Sequence, residues 1–297
     1  MAKLLVGVLG ASSLVGGCVL PLLHAEGWHV LAYTRQTQLC KTRDELSISW
    51  QVLSTDATDR QMSRDNVEIT PYWVCVAPIW VLPDYFSMIE ASGARRLVAL
   101  SSTSRFTKVG SGDAAENDIA ARLIDSEARV QAWAEERGIE WVVLRPTLIY
   151  GLGRDKNISE IARFINRFSF FPLLGRAQGL RQPVHAEDVA AACVAALLAP
   201  AAVNCAYNIS GGETLTYRDL VTRVFLALSR PARLVTVQLW AFRFAVAMLR
   251  PFSRYRHWSA AMAERMNRDL VFDHAEATRD LGFKPRGFAL TAKDMPQ

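Results

Sequence analysis

Residues 4–16, LLVGVLGASSLVG, carry an apolar strand through a glycine turn and straight into a helix. A helix that starts there leaves its first backbone N–H groups, those of Leu14 and Val15 among them, without intrahelical partners, and its dipole draws an anion toward them. The chemistry expected at such a turn is the binding of a pyrophosphate. Gly10 makes the turn tight, and Gly16 lets the helix lie close to the strand. Between them stand Ser12 and Ser13, hydroxyl side chains where a middle glycine would leave bare backbone. The next strand-like run ends in Thr34-Arg35, with no carboxylate. A carboxylate at that place binds a ribose 2′-hydroxyl, whereas an arginine suits a 2′-phosphate. Ser13 either hydrogen-bonds a phosphate or weakens its binding, and Arg35 points to a dinucleotide phosphorylated on its ribose.

The elements that must position these groups alternate through the first half of the chain. Apolar runs at Leu4–Leu9, His29–Tyr33, Ile48–Leu53, Tyr72–Ala77, Leu97–Ser101 and Trp141–Leu144 read as strands. Helical patterns fall at Leu14–Glu26, Pro83–Ser92 and Ala115–Arg137, where Ile119, Leu123, Ser126, Val130 and Trp133 form one buried stripe. Strands alternating with helices predict an α/β fold, a doubly wound parallel sheet. Gly138 closes the long helix. After Gly151 the texture loosens. Helices are predicted at Ile158–Phe168, Asp188–Leu198 and Thr216–Leu228, with Thr216 as N-cap, and a loop over Phe171–Arg181. The expected division is a nucleotide-binding domain over 1–150 and a smaller lobe over 151–297, some of whose elements rejoin the sheet.

These motifs, in this order, resemble the atypical and extended short-chain dehydrogenase/reductases, the NAD-dependent epimerase/dehydratase family. The resemblance covers most of residues 3–229. It is carried by the glycine turn, Asp56-Ala57, Val76-Ala77-Pro78, Ser101-Ser102-Thr103, the run Leu144–Gly151 (LRPTLIYG), the run Arg181–Ala190 (RQPVHAEDVA) and Tyr207-Asn208-Ile209. It implies a Rossmann domain that binds a nicotinamide dinucleotide. Asp56 and Ala57 would meet the adenine, and Val76, Ala77 and Pro78 the ribose. Ser101, Ser102, Pro146, Thr147 and Ile149 would lie by the nicotinamide. With Arg35 at the second strand, NADP(H) is favoured over NAD(H). Thr103 takes the place of the family's catalytic Ser/Thr, and Arg154 and Arg181 are candidates for substrate phosphates. The implied substrate is a nucleotide-sugar or lipid-linked sugar, modified through oxidation and reduction at the nicotinamide. The LRPTLIYG region is also similar to that of a nucleotide-binding accessory subunit of respiratory complex I, which keeps a redox-inert, structural or regulatory role open.

One departure bears on activity. The family uses a tyrosine and, four residues later on the same helical face, a lysine that lowers the tyrosine's pKa. No tyrosine here is followed by lysine at the fourth position. Leu123 takes the tyrosine position and Glu127 the lysine position. Leucine moves no proton, and a carboxylate raises a neighbouring hydroxyl's pKa. Thr103 and Glu127 are the candidates for the catalytic role, with a carboxylate among Asp113, Glu116 and Asp118 as the alternative. His185, ahead of the acidic helix start Glu187-Asp188, is read as a hydrogen-bonding support of its turn.

Composition bounds the rest. The chain has 297 residues, 51% hydrophobic and 21% charged, with net charge +5. That mild basicity suits a phosphorylated ligand or an anionic membrane surface, and is too dispersed for nucleic acid. Five cysteines without C-x-x-C spacing read as reduced thiols of a cytoplasmic protein, and no metal site is expected. The first apolar run makes better sense as a strand than as a signal peptide. Over 235–258, Arg243, Arg250, Arg254 and Arg256 stand among Trp240, Phe242, Phe244, Met248, Phe252 and Trp258. This stretch either packs on the small lobe or makes a peripheral membrane contact. The residues leave the oligomeric state open.

Overall fold

The first six strands are β1 (Leu5–Leu9), β2 (His29–Thr34), β3 (Ile48–Val52), β4 (Tyr72–Cys75), β5 (Arg96–Leu100) and β6 (Glu140–Pro146). With β11 (Cys205–Ile209) they build a seven-stranded sheet in the order β11-β6-β5-β4-β1-β2-β3, parallel throughout. The structure is a computed structural model that describes residues 4–36, 47–53, 68–110, 112–240 and 260–296. Strands β1, β4, β5 and β6 are buried on both faces, which is why they read as continuous apolar runs. The doubly wound Rossmann-like fold expected from the sequence is present, and β11 does rejoin the sheet.

Helices cover both faces. On one lie α1 (Leu14–Ala25) and the alanine-rich Ala186–Leu198, packed around Val6, Val8, Val74, Val98 and Val142. On the other lie the 3₁₀ helix Ile79–Tyr85, the short α2 (Phe86–Ala91) and the long α4 (Ala114–Glu136), around Trp73, Leu97 and Val143. A single turn, α3 (Ser104–Thr107), follows β5. The predicted helix at Pro83–Ser92 therefore begins earlier and tighter than expected, with Pro83 inside the 3₁₀ part. Gly138 takes φ +64° just beyond α4, as its closing role requires.

The small lobe has its own core of Tyr150, Ile161, Ile165, Leu173, Val221 and Phe225. It holds β7 (Ile149–Tyr150), α5 (Ile158–Phe168), β8 (Phe171–Leu174), β9 (Leu180–Arg181), β10 (Val184–His185), β12 (Leu215–Thr216), α7 (Tyr217–Ala227), β13 (Leu234–Val237) and α8 (Ala260–Asn267). The helix Ala186–Leu198 is α6 in this numbering. The loop expected over Phe171–Arg181 is instead two short strands. Their partners, β13 for β8 and β12 for β9, lie far along the chain, so no local pattern announced them. Thr216 caps α7 as expected, accepting from the Asp219 N–H at 3.0 Å.

Two buried arginines tie elements together, one between the sheet and a helix on its face, the other within the small lobe. Arg96 on β5 donates to the carbonyls of Ala196, Leu197 and Ala199 at 3.3, 3.1 and 3.0 Å, the orphan acceptors at the end of α6. Arg181 donates to the carbonyls of Leu180, Arg268 and Arg265, all in the small lobe. Cys18, Cys75 and Cys193 are buried free thiols, and burial pushes Cys18 up to about 11 and Cys75 to about 12. Such thiols are poor nucleophiles. Cys40 lies outside the described residues. No helix among the described residues is long and apolar enough to cross a membrane.

Candidate functional site

In a parallel sheet every strand ends on the same edge, so the glycine turn, Thr34, Val76–Pro78, Ser101–Thr103 and Pro146-Thr147 share one rim. At its centre Gly10 takes φ +83°, and a Cβ there would fall 2.6 Å from the Ala77 backbone nitrogen. A Cβ on Gly16 would fall 2.6 Å from the Ala11 carbonyl oxygen. Both glycines are thus required by close backbone approach. Ser13 is the N-cap of α1: its hydroxyl accepts from the Gly16 N–H at 3.0 Å. That leaves Leu14 and Val15, the first two helical residues, to present N–H groups outward. The residues fit a dinucleotide's phosphates: a tight turn with glycine at both crowded positions and small serines between, and donors that the helix itself does not use.

The second strand bears on which dinucleotide. Thr34 is buried, and its hydroxyl donates to the Ser12 hydroxyl at 3.2 Å. Arg35 follows on the exposed rim. Asp56 and Ala57 lie outside the described residues, as do Arg243, Arg250, Arg254 and Arg256. Arg154, expected at a substrate phosphate, reaches from the small lobe to the turn instead. It donates to the Ser12 carbonyl at 3.1 Å. Arg181 is buried and spends donors on backbone carbonyls, with its guanidinium 5.6 Å from the centre of the Tyr217 ring. Burial lowers its pKa to about 10.

Further along the rim, Ser102 accepts from the Ser104 N–H at 3.1 Å and so starts α3. Thr103 is buried, its hydroxyl donating to the Pro146 carbonyl at 3.2 Å. Thr147 donates to the Gln182 carbonyl, and Ile149 lies in β7 beside Val184. These contacts fix the end of β6 against the small lobe.

The departure from the family's pattern has a definite geometry. Leu123 is buried in the core, and Glu127 is 1% exposed, within the stripe of α4 rather than beside it. Its carboxylate accepts from the Ser101 hydroxyl and from Arg105. Arg145 on β6 completes the set, donating from Nε at 3.1 Å and from Nη2 at 2.7 Å. The side chains of Arg105 and Arg145 are 20% and 14% exposed. Burial lowers the Arg105 pKa, Glu127 offsets this, and Arg145 adds to the lowering. Glu127, which the resemblance sets at the lysine position, is thus a carboxylate locked between two guanidiniums. Arg105 was not singled out from the sequence. It stands 22 residues from Glu127 on another element, and no periodicity links such a pair.

His185 supports its turn as expected. Its Nδ1 accepts from the Glu187 N–H at 3.2 Å, so Nε2 carries the proton toward Asp294 at 3.1 Å. Burial pushes the Asp294 carboxyl up, but donors from the Thr291 backbone and hydroxyl, from the Leu152 N–H and from His185 outweigh it and hold the pKa below the usual range. A carboxylate depressed on folding stabilises the fold above its unfolded pKa of about 4. That stability is lost as pH falls through the folded value. Melting wild type and Asp294→Asn across pH should therefore give a gap that is constant near neutrality and shrinks below about pH 4. A gap independent of pH would contradict the assignment.

The fold and this rim define a class, and comparison with known proteins agrees. Residues 84–210 match the model of the NAD dependent epimerase/dehydratase family, so the family resemblance read from the residues is shown. The chain is similar to a UDP-glucose 4-epimerase of Vibrio cholerae, 24% identical over 214 residues, 70% of this chain and 61% of the relative. It is also similar to subunit 9 of the NADH dehydrogenase [ubiquinone] 1 alpha subcomplex, a mitochondrial protein of Arabidopsis thaliana. There the identity is 30% over 128 residues, 41% of this chain and 31% of the relative. In both cases the chain spans less than two thirds of the relative's length. The Thermus thermophilus UDP-glucose 4-epimerase, solved in complex with NAD, shares the fold with a TM-score of 0.67. It is 17% identical, over 95% of this chain and 94% of that one.

Proposed function

We propose that this protein binds NADP(H) along the rim and a nucleotide-linked sugar in the crevice beside it. The observation that carries the reading is the turn at Gly10–Gly16, where backbone crowding excludes a Cβ at both glycines and the N–H groups of Leu14 and Val15 are left unused by the helix. Arg35, exposed at the end of β2, supports a 2′-phosphate over a bare ribose hydroxyl. When bound, the nicotinamide supplies a hydride acceptor or donor. Thr103 would orient the sugar, and Arg154, set against the Ser12 carbonyl, would face the dinucleotide's phosphates. The sugar-nucleotide relatives support the substrate class. We read the protein as cytoplasmic, with 235–258 as its candidate peripheral contact with a membrane.

A second reading, a redox-inert NADP(H)-binding protein, is favoured by the Glu127 cluster. Ser101 and both arginines donate to the Glu127 carboxylate, and Leu123 offers no proton. Fluorescence titration with NADPH and NADH tests the shared part: tighter binding of NADPH is expected, and binding of neither removes both readings. Mixing the NADP+-loaded protein with UDP-glucose separates them. Appearance of reduced-nicotinamide absorbance favours the enzyme, and its absence across a panel of nucleotide-sugars favours the inert protein.

A further inference from the structure

We propose that the crevice recognises a sugar that bears a carboxylate, held by Arg105 and Arg145. The inference rests on the nucleotide-sugar reading above and narrows it. It starts from a count of charge. Two guanidiniums share one carboxylate, so the cluster carries a net charge of about +1. The charged groups acting on Arg105 are Glu127, which attracts it, and Arg145, which repels it. Glu127 has no capacity left. Its two oxygens already take Ser101, Arg105 and two nitrogens of Arg145. The donors are not used up to match. Arg105 Nε is buried without a hydrogen-bond partner. A surplus positive charge and an unmet donor in a poorly solvated place are both costly, and both are relieved by one more anion.

The surroundings say where that anion enters. The Phe106 ring lies 5.1 Å from the Arg105 guanidinium and 5.4 Å from that of Arg145, and Phe106 is 45% exposed. Across the junction its ring meets Phe272 at 5.9 Å. Arg268, just beyond α8, donates to the Thr107 carbonyl at 3.2 Å. The cluster therefore stands where the rim of the sheet meets the small lobe, with an aromatic surface beside it. A carboxylate matches the planar fork of a guanidinium, and charge-assisted bonds are about twice as strong as neutral ones. A neutral hydroxymethyl group gains only the weaker bonds.

The test is a calorimetric titration of the protein, with NADPH in excess, by UDP-glucuronate and by UDP-glucose. Binding of UDP-glucuronate at least about tenfold tighter is expected. In Arg105→Gln the ratio should fall to near one, with the fold checked by circular dichroism. Arg105→Lys, which keeps the charge but loses the fork, serves if the glutamine variant does not fold, and should lower the ratio too. Equal affinities in the wild type overturn the proposal while the nucleotide-sugar reading stands; the cluster then only preserves the positive charge of the family's lysine. If neither ligand binds, the nucleotide-sugar reading falls, and this inference falls with it.

Discussion

Glu127→Ala is expected to destabilise the protein by about 3 kcal/mol, near the lower end of what breaking a buried ion pair costs. The variant leaves Arg105 and Arg145 facing each other with no carboxylate between them and removes the acceptor of the Ser101 hydroxyl. The lower end applies because both guanidiniums retain some contact with solvent. Urea unfolding read by tryptophan fluorescence measures the loss. A loss below about 1 kcal/mol would mean that the arginines find other partners and that the cluster is not a unit. Replacing all three charges with apolar residues of similar volume is expected to recover most of the stability, since well-packed hydrophobic triads often equal buried ionic ones. That recovery would separate stability from function: the triple variant should fold yet lose discrimination among ligands.

The second large effect is at the turn. Gly16→Ala places a Cβ 2.6 Å from the Ala11 carbonyl oxygen, a backbone atom that cannot swing aside. The helix must shift away from β1, and the outward N–H groups of Leu14 and Val15 move with it. Two charge-assisted hydrogen bonds at about 1.5–3 kcal/mol each are then lost or weakened. NADPH affinity should fall about a hundredfold or more. Gly112→Ala, where a Cβ meets nothing within 4 Å, is the control and should bind as wild type does. Retention of affinity in Gly16→Ala would show that the dinucleotide does not sit on this turn.

The sheet was legible because its inner strands β1, β4, β5 and β6 are buried on both faces and stand out as apolar runs between helical patterns. Their predicted ends agree with the structure to within one or two residues. The turn was legible for a related reason: local backbone crowding demands glycine, and glycine is visible. Pairing across long distances was not. Nothing within Phe171–Leu174 announces Leu234–Val237 as its partner. The same holds for the cluster. The stripe of α4 was visible, but a glutamate within it reads as an exposed polar residue until Arg105 and Arg145 arrive from two other elements. Asp294 is the extreme case, near the end of the chain yet hydrogen-bonded to His185. Local physics writes itself into neighbouring residues, whereas charge compensation is settled only by the fold.

The position of β11 has a consequence for how the molecule comes into being. This strand forms the outer edge of the sheet beside β6, yet it follows β7 to β10 and α5 and α6 along the chain. Arg96, already in place on β5, waits for carbonyls about a hundred residues later. As the ribosome releases the chain, the first 150 residues emerge with the flank of β6 bare and with Arg96 paired to Glu140 but still lacking the carbonyls that its Nη1 will meet. The nascent sheet is thus an open template for pairing with other chains until Ile209 has cleared the exit tunnel. The division into two lobes describes the finished shape, but the unit that must be made, and inherited, whole is the sheet together with the segment that returns to close it.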